Sequence, residues 1–128
     1  MSITRDWLKA ASAPSIAAPS LGGIDHIEFW VGNARASAAF FASCYGFDIV
    51  AYAGPETGVT DRVSYVLSQG DVRFVVTAGI VAASPIVAHV AAHGDGVRDV
   101  AITVSDAAAA YDRALLAGGV GLCPPVVE

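Results

Sequence analysis

The chain of 128 residues is 55% apolar and 15% charged, which excludes a disordered protein and predicts one folded domain with a sizeable core. Seven basic against twelve acidic residues give a net charge of -5, and no Lys/Arg cluster is present, so nucleic acid is excluded as a partner. Cys44 and Cys123 lie far apart without metal-ligand spacing. We expect them to be small core residues in a reducing cytosol, with neither a disulfide framework nor a zinc site.

Residues 1–21 form the predicted lead-in. They lack the uninterrupted apolar stretch of a secretory signal, and we interpret them as a short helical turn followed by a loose Ala/Ser/Pro-rich segment. The most membrane-like window is 74–92, which carries no formal charge. Gly79, Pro85 and His89 interrupt it, and β-branched residues give way to alanine. A buried strand, a turn and a packed helix are therefore predicted, with no membrane span.

An internal repeat organises the chain. Residues 23–34 can be laid without a gap over residues 96–107, 73 positions later. In both copies an alternating apolar strand leads to a polar corner, Asn33 or Asp106, which is typical of a helix N-cap. The sequence predicts that the two strands are equivalent. It also predicts following helices over 34–45, ended by Gly46, and over 107–117, ended by Gly118 and Gly119, with Gly46 and Gly119 at equivalent positions of the repeat.

The remaining elements complete the first copy of the repeat. Strands are predicted over 47–53, 62–68 and 72–78, the last two as a tight hairpin, and a linking helix over 84–93. After the second helix only residues 121–128 remain, which we predict to be one strand. The fold class is α+β, with tandem βαβββ units over 22–81 and 96–128 in one domain, 22–128. The second unit is incomplete and would leave an open apolar sheet edge, so we expect the chain to be part of a longer protein.

Particular stretches of the sequence are more specific than this shape. They include Asp25 to Ala34 (DHIEFWVGNA), Glu56-Thr57-Gly58, Val66 to Gly70 (VLSQG) and Val87 to Val97 (VAHVAAHGDGV), which contains His93-Gly94-Asp95-Gly96-Val97. Together they resemble the amino-terminal domain of the 4-hydroxyphenylpyruvate dioxygenase and 4-hydroxymandelate synthase family, within the vicinal oxygen chelate superfamily. The resemblance covers about residues 22–119.

The resemblance implies an Fe(II)-dependent enzyme whose iron is held by two histidines and a glutamate of a second, carboxyl-terminal domain. The whole protein would convert 4-hydroxyphenylpyruvate and dioxygen to homogentisate and carbon dioxide in tyrosine breakdown. If the whole protein were a mandelate synthase, its reaction would instead end in benzylic hydroxylation. The resemblance further implies a homo-oligomer, which the cysteine usage would place in the cytoplasm, while this chain by itself would be inactive. A freestanding dimeric binding or resistance protein and a metal lyase or isomerase of the glyoxalase type are the alternatives.

His26 is the metal candidate that the sequence offers, since the first strand of such a unit often supplies a histidine ligand in metal-using members of the superfamily. Alternation places His26 and Glu28 on one face of the strand. Against a metal role, the repeat puts Asp99 at the position equivalent to His26, and no third ligand is placed nearby. Two-His-one-carboxylate iron needs a facial triad, so we expect His26 to be structural or to face a partner.

The remaining candidates have simpler interpretations. His89 and His93 have the i, i+4 spacing of zinc proteases but lack the accompanying glutamate, and His93 is expected to end its helix. Residues 94–96 (Gly-Asp-Gly) are predicted to form a tight turn rather than a phosphate loop. The cluster of Phe40, Phe41 and Tyr45 is predicted to lie in the core. No catalytic or cofactor-binding residue is predicted in this chain.

Overall fold

The structure is a computed structural model that describes residues 18–126. The helical turn predicted near the start of the lead-in lies outside the described residues. Residues 18–20 form no regular element, and the first strand begins at Leu21, two residues earlier than predicted. In chain order the elements are β1 (Leu21–Trp30), α1 (Ala34–Tyr45), β2 (Asp48–Ala53), a 3₁₀ turn (Pro55–Thr57), β3 (Arg62–Gln69), β4 (Val72–Gly79), α2 (Pro85–His93), β5 (Gly96–Val104) and α3 (Ala107–Leu116).

The described strands form one sheet in the order β2-β3-β4-β1-β5. β3 and β4 are the predicted antiparallel hairpin, and Gly70 in its turn adopts a φ of 55°, which a residue with a Cβ rarely does. β1 pairs in parallel with β4, so that Ile27 lies opposite Phe74. The first unit is thus β-α-β-β-β as predicted, and its chain-distant strands β1 and β4 are neighbours.

The core lies between α1 and one face of the sheet. Ala34 and Ala38 let the helix approach closely, while Leu67 and Val76 are fully buried beneath it. Phe29, Phe41, Phe47 and Phe74 pack around this cluster with ring centroids 4.9 to 5.9 Å apart. Burial of these side chains is the main stabilisation of the unit, at about 25 cal/mol per Å² of apolar surface.

Both predicted helix caps are present. The Asn33 side chain accepts a hydrogen bond from the Ala36 N–H at 2.9 Å, and Asp106 accepts one from Ala109 N–H at 3.0 Å. Gly46 ends α1 at a φ of 76°. The second helix, α3, ends at Leu116, one residue earlier than predicted, and of the two glycines predicted to follow it Gly118 is left-handed, with a φ of 94°. The predicted equivalence of Gly46 and Gly119 is therefore displaced by one residue.

Two predictions about buried side chains are wrong. Cys44 and Cys123 are both exposed, since Cys44 lies in the last turn of α1, beyond its buried stripe, and Cys123 lies outside the regular elements. In the aromatic cluster only Phe41 packs against the core. Phe40 is 53% exposed and Tyr45 60% exposed, and both rings pack against Phe41 on the helix surface.

The strand predicted over 121–128 is also absent from its described part, since residues 121–126 form no strand. Pro124 and Pro125 have no N–H to donate to a ladder. Val120, Leu122 and Val126 are largely exposed, so none of the strands that the structure describes shields them.

By contacts the described residues divide into two compact units, one comprising Ile24–Ile102 and the other residues 18–23 with residues 103–126. Everything from α1 to α2 belongs to the first. Within the second, Gly22 of β1 lies against the side chain of Thr103. The apolar window 74–92 contains most of β4 and all but the last residue of α2 rather than one long helix, as predicted. Of the helices described, none has the length and apolar character needed to cross a membrane.

Candidate functional site

The side chains of β1 divide between the two faces of the sheet. Phe29 and Val31 join the core beneath α1. Glu28 and Trp30 therefore point to the opposite face, where the Trp30 Nε1–H donates to Glu28 Oε1 at 3.2 Å. The shared face of Glu28 and Trp30 agrees with the prediction from strand alternation, which expects His26 on the same face.

His26 is engaged locally. Its Nδ1 lies 2.8 Å from Oδ2 of Asp25, and this hydrogen bond is the main cause that lowers the pKa of Asp25. Arg73 adds a weaker ion pair to Asp25, with Nη1 3.7 Å from Oδ1. The carboxylate beside His26 is thus shared with a cation from β4 rather than left open for a metal ion.

The donor set does not fit iron. Within residues 18–126, no three or more His, Cys, Asp or Glu side chains come together as a group able to hold a metal ion. A two-His-one-carboxylate centre needs three such ligands on one face with open positions beside them. His26 and Glu28 share a strand but gain no third ligand from the strands that the structure describes.

Trp30 is the centre of a cluster that joins three elements. The Arg98 guanidinium of β5 lies 4.5 Å from the ring centroid of Trp30, and His89 of α2 packs against the ring edge at 5.2 Å. His93 packs on His89 at 4.7 Å, so the two histidines share a helix face as their spacing predicts. The sequence does not predict the Arg98 contact, because the repeat makes β5 the counterpart of β1 without showing that the two strands are neighbours.

The turn of Gly94, Asp95 and Gly96 holds β1 and α2 together. α2 ends at His93 as predicted, with the Gly94 N–H donating to the Val90 carbonyl at 2.7 Å. Gly94 has a φ of 77°, and the Asp95 carboxylate accepts from the Gly32 N–H at 2.8 Å. The turn is thus fixed by glycine geometry and by one long-range hydrogen bond, in agreement with the predicted tight turn.

These contacts are suited to holding elements together. A cation above an indole contributes roughly 0.5–1 kcal/mol at exposed sites. The Asp95 bond fixes the start of β5 against the end of β1. The arrangement around Trp30 positions side chains from β1, β5 and α2 without bringing together an acid, a base and a nucleophile in the part of the chain that the structure describes.

Comparison with known proteins gives a consistent result. Residues 23–125 match the Glyoxalase/Bleomycin resistance protein/Dioxygenase superfamily. The chain is 36% identical over 124 residues to a 4-hydroxyphenylpyruvate dioxygenase of Pyricularia oryzae, a match that covers 84% of this chain and 30% of that protein. Over 104 residues it is 38% identical to the enzyme of the same name from Xenopus tropicalis, covering 80% of this chain and 26% of that protein.

Among solved structures, a triple mutant of 4-hydroxymandelate synthase from Streptomyces coelicolor is similar, with a TM-score of 0.77 and 37% sequence identity. The match covers 80% of this chain and 32% of that one. The chain thus spans about 30% of the length of the curated relatives it matches.

Proposed function

Because the chain belongs to the Glyoxalase/Bleomycin resistance protein/Dioxygenase superfamily, we propose that it is the amino-terminal part of a 4-hydroxyphenylpyruvate dioxygenase. The observation that carries this proposal is 36% identity over 124 residues to a dioxygenase of which the chain spans only 30%. The proposed reaction of the whole protein joins 4-hydroxyphenylpyruvate and dioxygen and yields homogentisate and carbon dioxide.

The proposed role of this domain is non-catalytic. Fe(II) would be bound by the remainder of the whole protein, because the described residues contain no group of three ligands and His26 is engaged by Asp25. Fe(II), where bound, would supply the activation of dioxygen. The residues of this chain would contribute a five-stranded sheet with an exposed edge strand, β5. The rest of the whole protein or a second subunit could pair with that edge.

The second candidate is a 4-hydroxymandelate synthase, favoured by the TM-score of 0.77 and the 37% identity to the Streptomyces coelicolor enzyme. No residue of this chain distinguishes the dioxygenase from the synthase, so the two candidates are distinguished by the reaction product of the whole protein.

The further properties of the whole protein are proposals of the same kind. They are a homo-oligomeric state, a cytoplasmic location, and the absence of nucleic-acid and membrane partners. The net charge of -5 supports the exclusion of nucleic acid. A freestanding dimeric binding protein of the same superfamily is the alternative if the coding frame stops after Glu128.

The test compares the complete coding frame with residues 1–128. Both proteins are supplied with Fe(II), 4-hydroxyphenylpyruvate and dioxygen, and oxygen uptake and products are measured. We expect the complete protein to consume oxygen and release homogentisate, and residues 1–128 to do neither. Release of 4-hydroxymandelate would select the second candidate. A frame that ends at Glu128, with no turnover, would replace both by the binding protein.

A further inference from the structure

The imidazole rings of His89 and His93 lie side by side at the carboxyl-terminal end of α2. Their centroids are 4.7 Å apart, and the ring planes are inclined at 50° to each other. Among residues 18–126, neither imidazole has a hydrogen-bond or ion-pair partner. Their ring nitrogens are therefore available to an external ligand, whereas Nδ1 of His26 is already engaged by Asp25.

The separation of the two rings suits two ligands of one metal ion. An ion bound about 2.0–2.1 Å from an imidazole nitrogen lies roughly 3.2 Å from the centre of that ring. Two rings on one ion then have centroids about 4.5 Å apart at a right angle and about 5.2 Å apart at the tetrahedral angle. The observed 4.7 Å lies between these two values. The helix spacing of His89 and His93 thus already provides the separation that a shared ion requires.

The helix that carries the pair is fixed at both ends. At its start, the Ser84 side chain accepts from the N–H of the fully buried Ile86 at 3.2 Å. At its end, the Gly94 N–H donates back into the last turn at 2.7 Å. The His89 ring also packs at a right angle to the Trp30 ring, with centroids 5.2 Å apart. Ligands on such a rigid element lose little conformational freedom when they bind an ion, which favours affinity.

The position of the pair on α2 favours a cation. His93 is the last residue of α2 and is exposed, so water can reach an ion bound to it. The carboxyl-terminal end of an α-helix carries a partial negative charge, which stabilises positive charge near the last turn. An ion at His89 and His93 would therefore gain from the helix dipole as well as from the two nitrogens.

The donor type selects the class of ion. Imidazole nitrogens suit Cu²⁺, Ni²⁺ and Zn²⁺, whereas Mg²⁺ and Ca²⁺ require oxygen ligands. At a given nitrogen site Cu²⁺ binds more tightly than either Ni²⁺ or Zn²⁺. Within the described part of the chain no group of three His, Cys, Asp or Glu side chains forms, so the site has two protein ligands.

We propose that His89 and His93 form a two-histidine site for a divalent transition-metal ion, with Cu²⁺ bound most tightly. The ion joins successive turns of α2, and water completes its coordination. Both ligands lie within Ile24–Ile102. The site differs from the proposed catalytic iron centre, because it offers two nitrogens and no carboxylate. It therefore holds or fails independently of the dioxygenase assignment.

The test uses residues 1–128 and the metal ions alone. Cu²⁺ quenches the fluorescence of a nearby tryptophan, and Trp30 lies beside His89. Trp7→Phe leaves Trp30 as the only tryptophan of the chain. Cys44→Ser and Cys123→Ser remove the two exposed thiols, which would otherwise compete for the ion. Quenching of this triple variant by Cu²⁺ gives the dissociation constant.

Zinc locates the site, because Zn²⁺ is diamagnetic and shifts the ring resonances of the histidines that bind it. In the unaltered chain, the Zn²⁺-induced shifts of the three histidines should be confined to His89 and His93. In the triple variant, competition with Zn²⁺ should show Cu²⁺ binding more tightly by at least a factor of about 10. Mg²⁺ should neither quench nor shift these residues.

Substitutions separate the pair from other sites. His89→Gln and His93→Gln each remove one ligand and should weaken Cu²⁺ binding by at least a factor of about 10, since loss of an outer-shell partner alone costs about 10–100-fold. His26→Gln is the matched control and should leave the affinity unchanged. Full Cu²⁺ affinity in a folded His93→Gln protein, equal weakening by His26→Gln, or zinc shifts centred on His26 would each overturn the proposal.

Discussion

Asn33 and Asp106 occupy the same point of one repeated motif. Their backbones are nearly identical, with φ and ψ of -142° and 98° at Asn33 and of -145° and 104° at Asp106. Each side-chain oxygen accepts from the backbone N–H three residues further on. Two chain segments 73 residues apart thus turn from strand to helix by the same local interaction, which supports the internal repeat at atomic detail.

Removing one cap tests its contribution. Asn33→Ala leaves an amide of the first turn of α1 without its acceptor, and should lower the free energy of unfolding by about 1 kcal/mol. Asn33→Ser keeps a capping oxygen and should lie close to the original protein. Urea denaturation followed by circular dichroism measures both. Equal loss in the two variants would mean that Asn33 acts other than as a cap.

The core gives a second prediction with a matched control. Leu67 is 0% exposed and lies in the cluster beneath α1, whereas Leu122 is 92% exposed. Leu67→Ala should cost about 2–5 kcal/mol of unfolding free energy, because it removes buried methyl groups and leaves a cavity. Leu122→Ala should change it by less than about 0.5 kcal/mol. A small effect at Leu67 would contradict the placement of the core.

The fold was predicted well where the periodicity of apolar residues and the positions of glycines indicate the same element ends. The bounds of α1 are as predicted, and those of β3 and β4 differ by one residue, because Gly46, Gly54 and Gly70 mark the ends of periodic segments. The prediction failed where burial depends on what covers a surface. Phe40, Cys44 and Tyr45 have the composition of a core, but the sheet beneath α1 is filled by other side chains.

The site was predictable only in part. The shared face of Glu28 and Trp30 follows from strand alternation alone. The contact of Arg98 with Trp30 depends on β5 lying beside β1, a long-range pairing that no local pattern specifies.

Titration of Tyr52 gives a third prediction. The pKa of Tyr52 is raised to about 12, mainly because its hydroxyl donates to Glu56. The contribution of this bond to the free energy of unfolding is therefore fully present below about pH 10 and is lost as the pH rises through about 12. The pKa of Glu56 is lowered below 4.5, so the same contribution is lost again as the pH falls through the lowered value. Near-ultraviolet absorbance, compared with that of Tyr52→Phe, should show one tyrosine that ionises late. Glu56→Gln should bring its pKa down, and an unchanged titration would contradict the contact.

Self-association is the fourth prediction. β5 forms an edge of the described sheet, and its Val97, Val100 and Ile102 are all about half exposed. Unpaired apolar edges favour pairing with another chain, so residues 1–128 should associate or be poorly soluble. Val100→Lys should shift sedimentation towards the monomer, and Val126→Lys, the same change outside the sheet, should not. A monomer at every concentration would contradict an open edge.

The last prediction concerns iron and His26. In the whole protein, His26→Ala should leave the iron content and oxygen uptake per folded molecule unchanged, because His26 is held by Asp25 and the described residues do not complete a set of three ligands around it. The substitution should instead raise the lowered pKa of Asp25 towards its ordinary value of 3.8, since the His26 hydrogen bond is the largest cause of the shift. Carboxyl titration by nuclear magnetic resonance measures the pKa of Asp25. Metal analysis and oxygen uptake measure whether iron binding and activity are unchanged. A change in the Asp25 pKa at constant iron content would assign His26 a local structural role. Loss of iron in a folded His26→Ala protein, or full iron occupancy and turnover by residues 1–128 alone, would return His26 to the metal.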